Sequence, residues 1–128
     1  MPKDSYTIGN GYGPREAPIT GASTFHLGVD LGAPKGTPIY AVADGYAKTY
    51  KYPNCPWGPG YGDAVIIWDG NIAYITAHMD GFAIGNGPVE KDQLIGYVGT
   101  TGTSKDYHVH FEVRIDGVAV SNPKSYIR

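Results

Sequence analysis

The chain has 128 residues, a formal net charge of −2, 41% hydrophobic residues and one cysteine. A chain of this length buries roughly two-thirds of its unfolded surface, enough for a core, so residues 1–128 are read as a single domain. The charge leaves no polybasic footprint for nucleic acid or an anionic membrane. No apolar run approaches the roughly 18 residues of a membrane span. Cys55, being alone, excludes an internal disulfide and a cysteine-rich zinc site, and it reads as an ordinary loop residue. The start, Met1-Pro2-Lys3-Asp4, lacks the apolar core of a signal peptide. Either the protein is not exported by that route or the chain is an excised domain.

Gly and Tyr are plentiful, at 19 and 11 residues. Val, Ile, Tyr and Thr alternate with clusters of Gly, Pro, Asn and Asp, and no stretch makes a good amphipathic helix. The fold class is therefore mainly β, with short strands joined by turns. Residues 1–25 read as turns and one edge strand. In Phe25-His26-Leu27-Gly28-Val29-Asp30-Leu31-Gly32 the glycines oppose a helix. On a straight strand His26 and Asp30 would share a face but lie about 13 Å apart, so binding one ion would require a bend, which Gly28 permits.

Residues 33–37 form a turn. Pro38 to Ala43 is a strand, Asp44-Gly45 a hairpin signal, and Tyr46 to Tyr52 the returning strand. The aromatic Pro/Gly-rich loop from Tyr52 to Gly62 either packs on its own side chains or walls a substrate groove; the sequence leaves both open. Asp63 to Trp68, the turn Asp69-Gly70-Asn71 and Ile72 to Ala77 form a hairpin that delivers His78 at a strand end, with Tyr74, Thr76 and His78 alternating on one face. Residues 82–92 are a loop, Gln93 to Gly99 a strand, and residues 100–104 a turn. From His108 to Ile115 polar and apolar residues alternate, the period of a strand. Val109, Phe111, Val113 and Ile115 face the core; His108, His110, Glu112 and Arg114 share the other face. Asp116-Gly117 closes a last hairpin to Val118-Ala119-Val120.

The chain has four histidines, and each falls at a strand end or on a polar strand face. Two imidazoles and a carboxylate with an open fourth position make a catalytic zinc set. Zinc there acidifies water and polarises a carbonyl, and further imidazoles suit a proton acceptor and an oxyanion stabiliser. The same set could hold iron for oxygen chemistry, which leaves two histidines without a role.

Several ordered segments resemble the lysostaphin/LytM-type zinc endopeptidases of bacterial peptidoglycan. Residues 25–31 are similar to that family's His-x-Gly-x-Asp segment. Gly36 to Gly45 is similar to its Gly-x-Pro-Val-x-Ala…Gly stretch, and Tyr61 to Ile67 with Thr76-Ala77-His78-Met79 to its Tyr-Gly-Asn…Tyr-Ala-His-Leu stretch. Gly96 to Gly102 and His108 to Val113 are similar to its Gly-x-Thr-Gly…His-Leu-His-Phe-Glu. The resemblance implies a compact antiparallel β-sheet domain whose loops wall a narrow groove. It implies one Zn2+ per chain held by His26, Asp30 and His110. His78 and His108 map to non-ligand histidines that activate water and stabilise the oxyanion. Thr76 stands where the family usually has Tyr and Met79 where it has Leu; no ligand is lost.

The function implied is hydrolysis of peptide bonds in peptidoglycan stem or cross-bridge peptides at the bacterial cell wall, extracellular or phage-borne. The chain would act as a monomer or as a domain of a larger lysin or tail protein. The alternatives are a non-catalytic relative that binds peptidoglycan or activates a hydrolase, and a β-rich phosphocarrier using paired histidines, which would need neither Asp30 nor a metal.

Overall fold

The computed structural model describes residues 7–8, 13–14, 25–26, 28–101, 107–121 and 123–127. In chain order the strands are β1 (Thr7–Ile8), β2 (Gly13–Pro14), β3 (Phe25–His26), β4 (Val29–Gly32), β5 (Pro38–Tyr40), β6 (Gly45–Tyr50), β7 (Ala64–Asp69), β8 (Ile72–Ala77), β9 (Met79–Phe82), β10 (Gly87–Val89), β11 (Leu94–Val98), β12 (His108–Ile115) and β13 (Val118–Ala119). Two short 3₁₀ turns, Pro59–Tyr61 and Pro123–Tyr126, are the helical segments among the described residues.

An antiparallel sheet carries the order β1-β4-β12-β8-β7-β6-β10, with β13 added to β12. A three-stranded sheet, β5-β11-β9, and the pair β2-β3 complete the described strands. The expected mainly β, antiparallel architecture is what forms, and the expected edge strand near the start is β1. The central strand runs from His108 to Ile115, the bounds its alternation predicts.

Register sorts the side chains of the large sheet into two faces, because directly opposed residues point the same way. Val65 opposes Thr76, Ile67 opposes Tyr74, and Phe111 opposes Thr76. This face packs with Val29, Leu31, Ile39, Met79, Ile95 and Val98 into the main core. On the other face Ile66 opposes Ile75, His110 opposes both Asp30 and Ala77, and Glu112 opposes Ile75. Here Cys55, Ala64, Ile66, Ala73, Ile75 and Ala77 form a second apolar cluster beneath Tyr50, Trp57, Tyr61 and Trp68. The aromatic loop therefore closes over the second face, and Cys55 is a buried thiol within it.

That loop changes the character of β12. A half-buried strand would leave its polar face in water, yet His110 is 8% exposed and Glu112 is 0% exposed. Both faces of the strand are covered, and period-2 alternation cannot distinguish a wet polar face from one roofed by a distant loop.

Asp44-Gly45 is not a hairpin turn. β5 pairs with β11 in the small sheet, whereas β6 pairs with β7 and β10 in the large one. Residues 41–44 cross between sheets, held by Ala41 N–H to the Gln93 carbonyl (2.8 Å) and by Lys91 N–H to Asp44 Oδ1 (2.7 Å). Gly45 serves close approach: a Cβ there would lie 2.5 Å from the Trp68 carbonyl oxygen and 2.7 Å from Ile67 Cγ2. The stretch 82–92, expected to be loop, contains β10, and Met79 to Phe82 forms β9. Asp80, Gly81 and Pro88 mask both from propensity reasoning. The hairpins at 69–72 and 115–118 form as expected. Asp116 (φ 53°) and Gly117 (φ 83°) both take the positive φ of a tight hairpin turn.

Gly45→Ala is expected to cost about 1–3 kcal/mol, the usual range for overpacking. Urea unfolding of the two proteins measures it. An unchanged midpoint would restore the turn-glycine reading.

Candidate functional site

The site is built where β4, β12 and the end of β8 meet. Asp30 and His110 are 80 residues apart in sequence, yet they are direct cross-strand partners between β4 and β12. Asp30 Oδ1 lies 3.3 Å from His110 Nδ1 and 3.5 Å from His108 Nε2. The bend anticipated between His26 and Asp30 is present: β3 ends at His26, residue 28 is a bend, and β4 starts at Val29. Gly28 is needed there for space. A Cβ would fall on the Phe111 carbonyl oxygen and within 2.9–3.0 Å of His110 Cε1 and Nε2. His26 lies in β3 opposite Gly13; its side chain is outside the described residues.

His78 arrives by an unexpected route. Strict alternation with Tyr74 and Thr76 would place it on the main-core face, away from His110. Instead its backbone is left-handed, with φ 59°, a conformation that costs a non-glycine residue roughly 1–2 kcal/mol. The alternation breaks, and the His78 ring lies 5.1 Å from that of His108 and 6.0 Å from that of His110. Two backbone hydrogen bonds hold the turn: His78 N–H to the Tyr61 carbonyl and Met79 N–H to the Asp63 carbonyl, each 2.9 Å. His78, His108, His110 and Asp30 thus lie close together, and His78 joins them by leaving its strand face.

The hydrogen bonds assign the tautomers. His78 Nδ1 lies 2.6 Å from the Thr101 carbonyl oxygen. A carbonyl only accepts, so Nδ1 carries the proton and Nε2 is left as an acceptor. Burial, reinforced by the neighbouring His110, pushes the His78 pKa down to about 3. Thr101 is itself fixed by a bond from its hydroxyl to the Met79 carbonyl (2.7 Å) and one from Asp63 N–H (3.0 Å).

His110 is held from both nitrogens. Nε2 faces Glu112 Oε1 at 2.9 Å and Nδ1 faces Asp30. Burial alone would lower its pKa; the bonds to Asp30 and Glu112 outweigh burial and hold it above the ordinary imidazole value. Burial would likewise raise the Glu112 carboxyl. The bonds from His110 and Tyr61 and the charge of Arg114 hold it below its usual range instead. Tyr61 donates to Glu112 Oε1 at 2.7 Å and stands edge-on to the His110 ring, 5.6 Å between centroids. Arg114 Nε donates to Glu112 Oε2, and its guanidinium lies 4.7 Å from the Trp57 ring centre.

Sequence reasoning puts Glu112 on the histidine face without a role, and gives none to Thr101. A carboxylate two residues beyond a His-x-His, in the same strand phase, is the available signal for the first. Thr101 acts through its backbone carbonyl and leaves no such signal. Among the described residues no group of three His, Cys, Asp or Glu side chains forms a metal cage, and none of the helices is long and apolar enough to cross a membrane.

The profile of Peptidase family M23 matches residues 24–122. The DD-carboxypeptidase/endopeptidase Mpg of Neisseria meningitidis is 40% identical over 119 residues, covering 92% of this chain and 26% of that protein. The peptidoglycan DD-endopeptidase ShyC of Vibrio cholerae is 33% identical over 128 residues, covering 97% of this chain and 28% of that protein. The chain therefore spans about a quarter of the length of these curated relatives. Among solved structures, a zinc-containing peptidase from Vibrio cholerae superposes with a TM-score of 0.77 at 28% identity, covering 95% of this chain and 37% of that one.

In chelator-treated protein, His78 is expected to stay neutral from about pH 8 to about pH 5, its proton resting on Nδ1. Nitrogen-15 NMR of labelled histidine reads this directly. A His78 ring that titrates near its ordinary value would contradict the burial and the Thr101 contact.

Proposed function

The chain belongs to peptidase family M23, and from that premise we propose that it is a zinc-dependent endopeptidase that cuts stem or cross-bridge peptides of peptidoglycan at the bacterial cell wall. The observation that carries the reading is the convergence of Asp30 from β4, His78 from the turn after β8, and His108 and His110 from β12 onto one point. The similarity to a peptidoglycan DD-endopeptidase of Vibrio cholerae supports the substrate class. The similarity in fold to a zinc-containing peptidase of the same organism supports the metal.

The donor chemistry fits a cation. With Nε2 of His110 donating to Glu112, Nδ1 faces Asp30 Oδ1 at 3.3 Å, and the two atoms share a proton that a bound metal would displace. Two acceptors so placed favour positive charge between them, from a proton or a metal. Asp30 and His110 are the proposed ligands together with His26, whose place in the set rests on the sequence pattern alone. Zinc bound by these residues supplies Lewis-acid chemistry, polarising an amide carbonyl and acidifying water.

The chain's own residues do the rest. His78 presents Nε2 as a proton acceptor, oriented by the Thr101 carbonyl. Its low proton affinity keeps it neutral until negative charge develops beside it, when a protonated imidazole becomes favourable. His108 lies on the same strand face as His110, its side chain more exposed at 18% against 10%, and it meets the substrate from the open side. Glu112, Tyr61 and Trp57 exclude water from behind His110.

Metal-replete protein is expected to hold about one zinc per chain, measured by elemental analysis, with chelation abolishing cell-wall turnover and zinc restoring it. His110→Ala should lose zinc and turnover together. His78→Ala and His108→Ala should keep zinc and lose turnover by roughly 10²–10⁴-fold, as for positioned acid–base groups. If neither His110→Ala nor His108→Ala alters zinc content or rate, the site lies elsewhere. Full zinc occupancy without hydrolysis of several purified peptidoglycans would favour the non-catalytic alternative.

A further inference from the structure

We infer that Glu112 is a positioning residue for His110: its buried carboxylate fixes the imidazole with Nε2 protonated and Nδ1 turned to Asp30, and so sets the affinity of that pair for a divalent metal. The inference rests on the proposed reading for its metal and on the geometry alone for the tautomer.

Glu112 has no exposed surface, and each of its oxygens is accounted for. Oε1 receives His110 Nε2 (2.9 Å) and the Tyr61 hydroxyl (2.7 Å); Oε2 receives Arg114 Nε. An ionised carboxylate only accepts, so all three partners must present hydrogens, and the hydrogen of His110 must sit on Nε2. The ring is closely flanked on two sides. Tyr61 stands edge-on to it at 87° between planes, and the backbone at Gly28 leaves no room for even a Cβ beside Cε1 and Nε2. A carboxylate behind a ligating imidazole fixes its tautomer and raises its basicity, and losing such a partner typically costs 10–100-fold in metal affinity.

A purely packing role for Glu112 is the competing account, and the substitution Glu112→Gln separates the two. Glutamine offers one acceptor oxygen. Arg114 is a fixed charged donor on the Oε2 side and draws the oxygen there, so the amide NH₂ takes the Oε1 position, facing His110 Nε2 and the Tyr61 hydroxyl, which can accept from it. A donor there favours the tautomer with the proton on Nδ1, where it blocks the Asp30 side.

The experiment has two readouts besides turnover. In chelator-treated wild-type protein labelled with nitrogen-15 histidine and followed to alkaline pH, where His110 carries one proton, that proton is expected on Nε2 with Nδ1 bare; a bare Nε2 overturns the inference, and no variant is needed to see it. By chelator competition, E112Q is expected to bind zinc about 10–100-fold more weakly than wild type. E112Q that loses melting temperature but keeps its zinc affinity overturns the inference in favour of packing. Should E112Q fail to fold, Tyr61→Phe removes one donor to Glu112 while sparing the His110 bond. It is expected to weaken zinc binding by less than tenfold while His110 keeps its Nε2 proton, and loss of that proton overturns the inference. Wild-type protein that takes up no zinc overturns the peptidase reading and the affinity half of this one, whereas the tautomer is read in metal-free protein and is decided separately.

Discussion

A carboxylate with no exposure sits in the middle of the longest strand, and much of the second face of the sheet is arranged to make that possible. A buried charge that lost a partner would cost about 3–5 kcal/mol. Glu112 therefore requires Tyr61, Arg114 and His110 in fixed positions at once. Arg114 comes from the same strand and the same face. Tyr61 must come from elsewhere, and it does so at the end of the aromatic loop. Trp57 of that loop covers the Arg114 guanidinium and lies tilted against Trp68, with ring centres 5.7 Å apart. The small side chains of Ala73 and Ala77, opposite Arg114 and His110 on β8, leave room for these large groups to lie down on the sheet.

The second constraint is register. Asp30 meets His110 because β4 pairs with β12 in the one register that sets these two residues opposite each other. A slip of one position would turn every side chain of β4 to the opposite face, sending Asp30 into the main core and Val29 or Leu31 toward the histidines. The apolar burial of Val29 and Leu31 thus guards the polar contact. The site inherits its precision from the core beneath it, which is how rigid elements hold reacting groups to sub-ångström tolerance.

These two constraints explain what the sequence discloses. The bounds of β12, the hairpins at 69–72 and 115–118 and the bend before Asp30 are written in local patterns: alternation, turn residues, a glycine between two polar residues. The roof over Glu112 is not, because it depends on a loop some fifty residues upstream, Tyr61 being 51 positions from Glu112. The crossing at Asp44-Gly45 is hidden for a related reason. The dipeptide is a strong turn signal, but Gly45 owes its identity to the Trp68 backbone pressing on it, a contact no local window contains. His78 is visible as a site residue through the family pattern and invisible in its geometry, since alternation points it the wrong way.

His78 also bears on the reading of the aromatic loop as a self-packed patch. A left-handed histidine is strained, and strain of that kind persists only where the surroundings over-determine it. The determinants are the carbonyls of Tyr61 and Asp63, which belong to the end of the loop, and the carbonyl of Thr101 on the far side. The loop end thus aims His78 through its backbone while it shields Glu112 through the side chain of Tyr61. It is not a patch packed only on itself. A change that loosens the loop would release the His78 turn and uncover the carboxylate behind His110 together, so the two imidazoles are coupled through one segment.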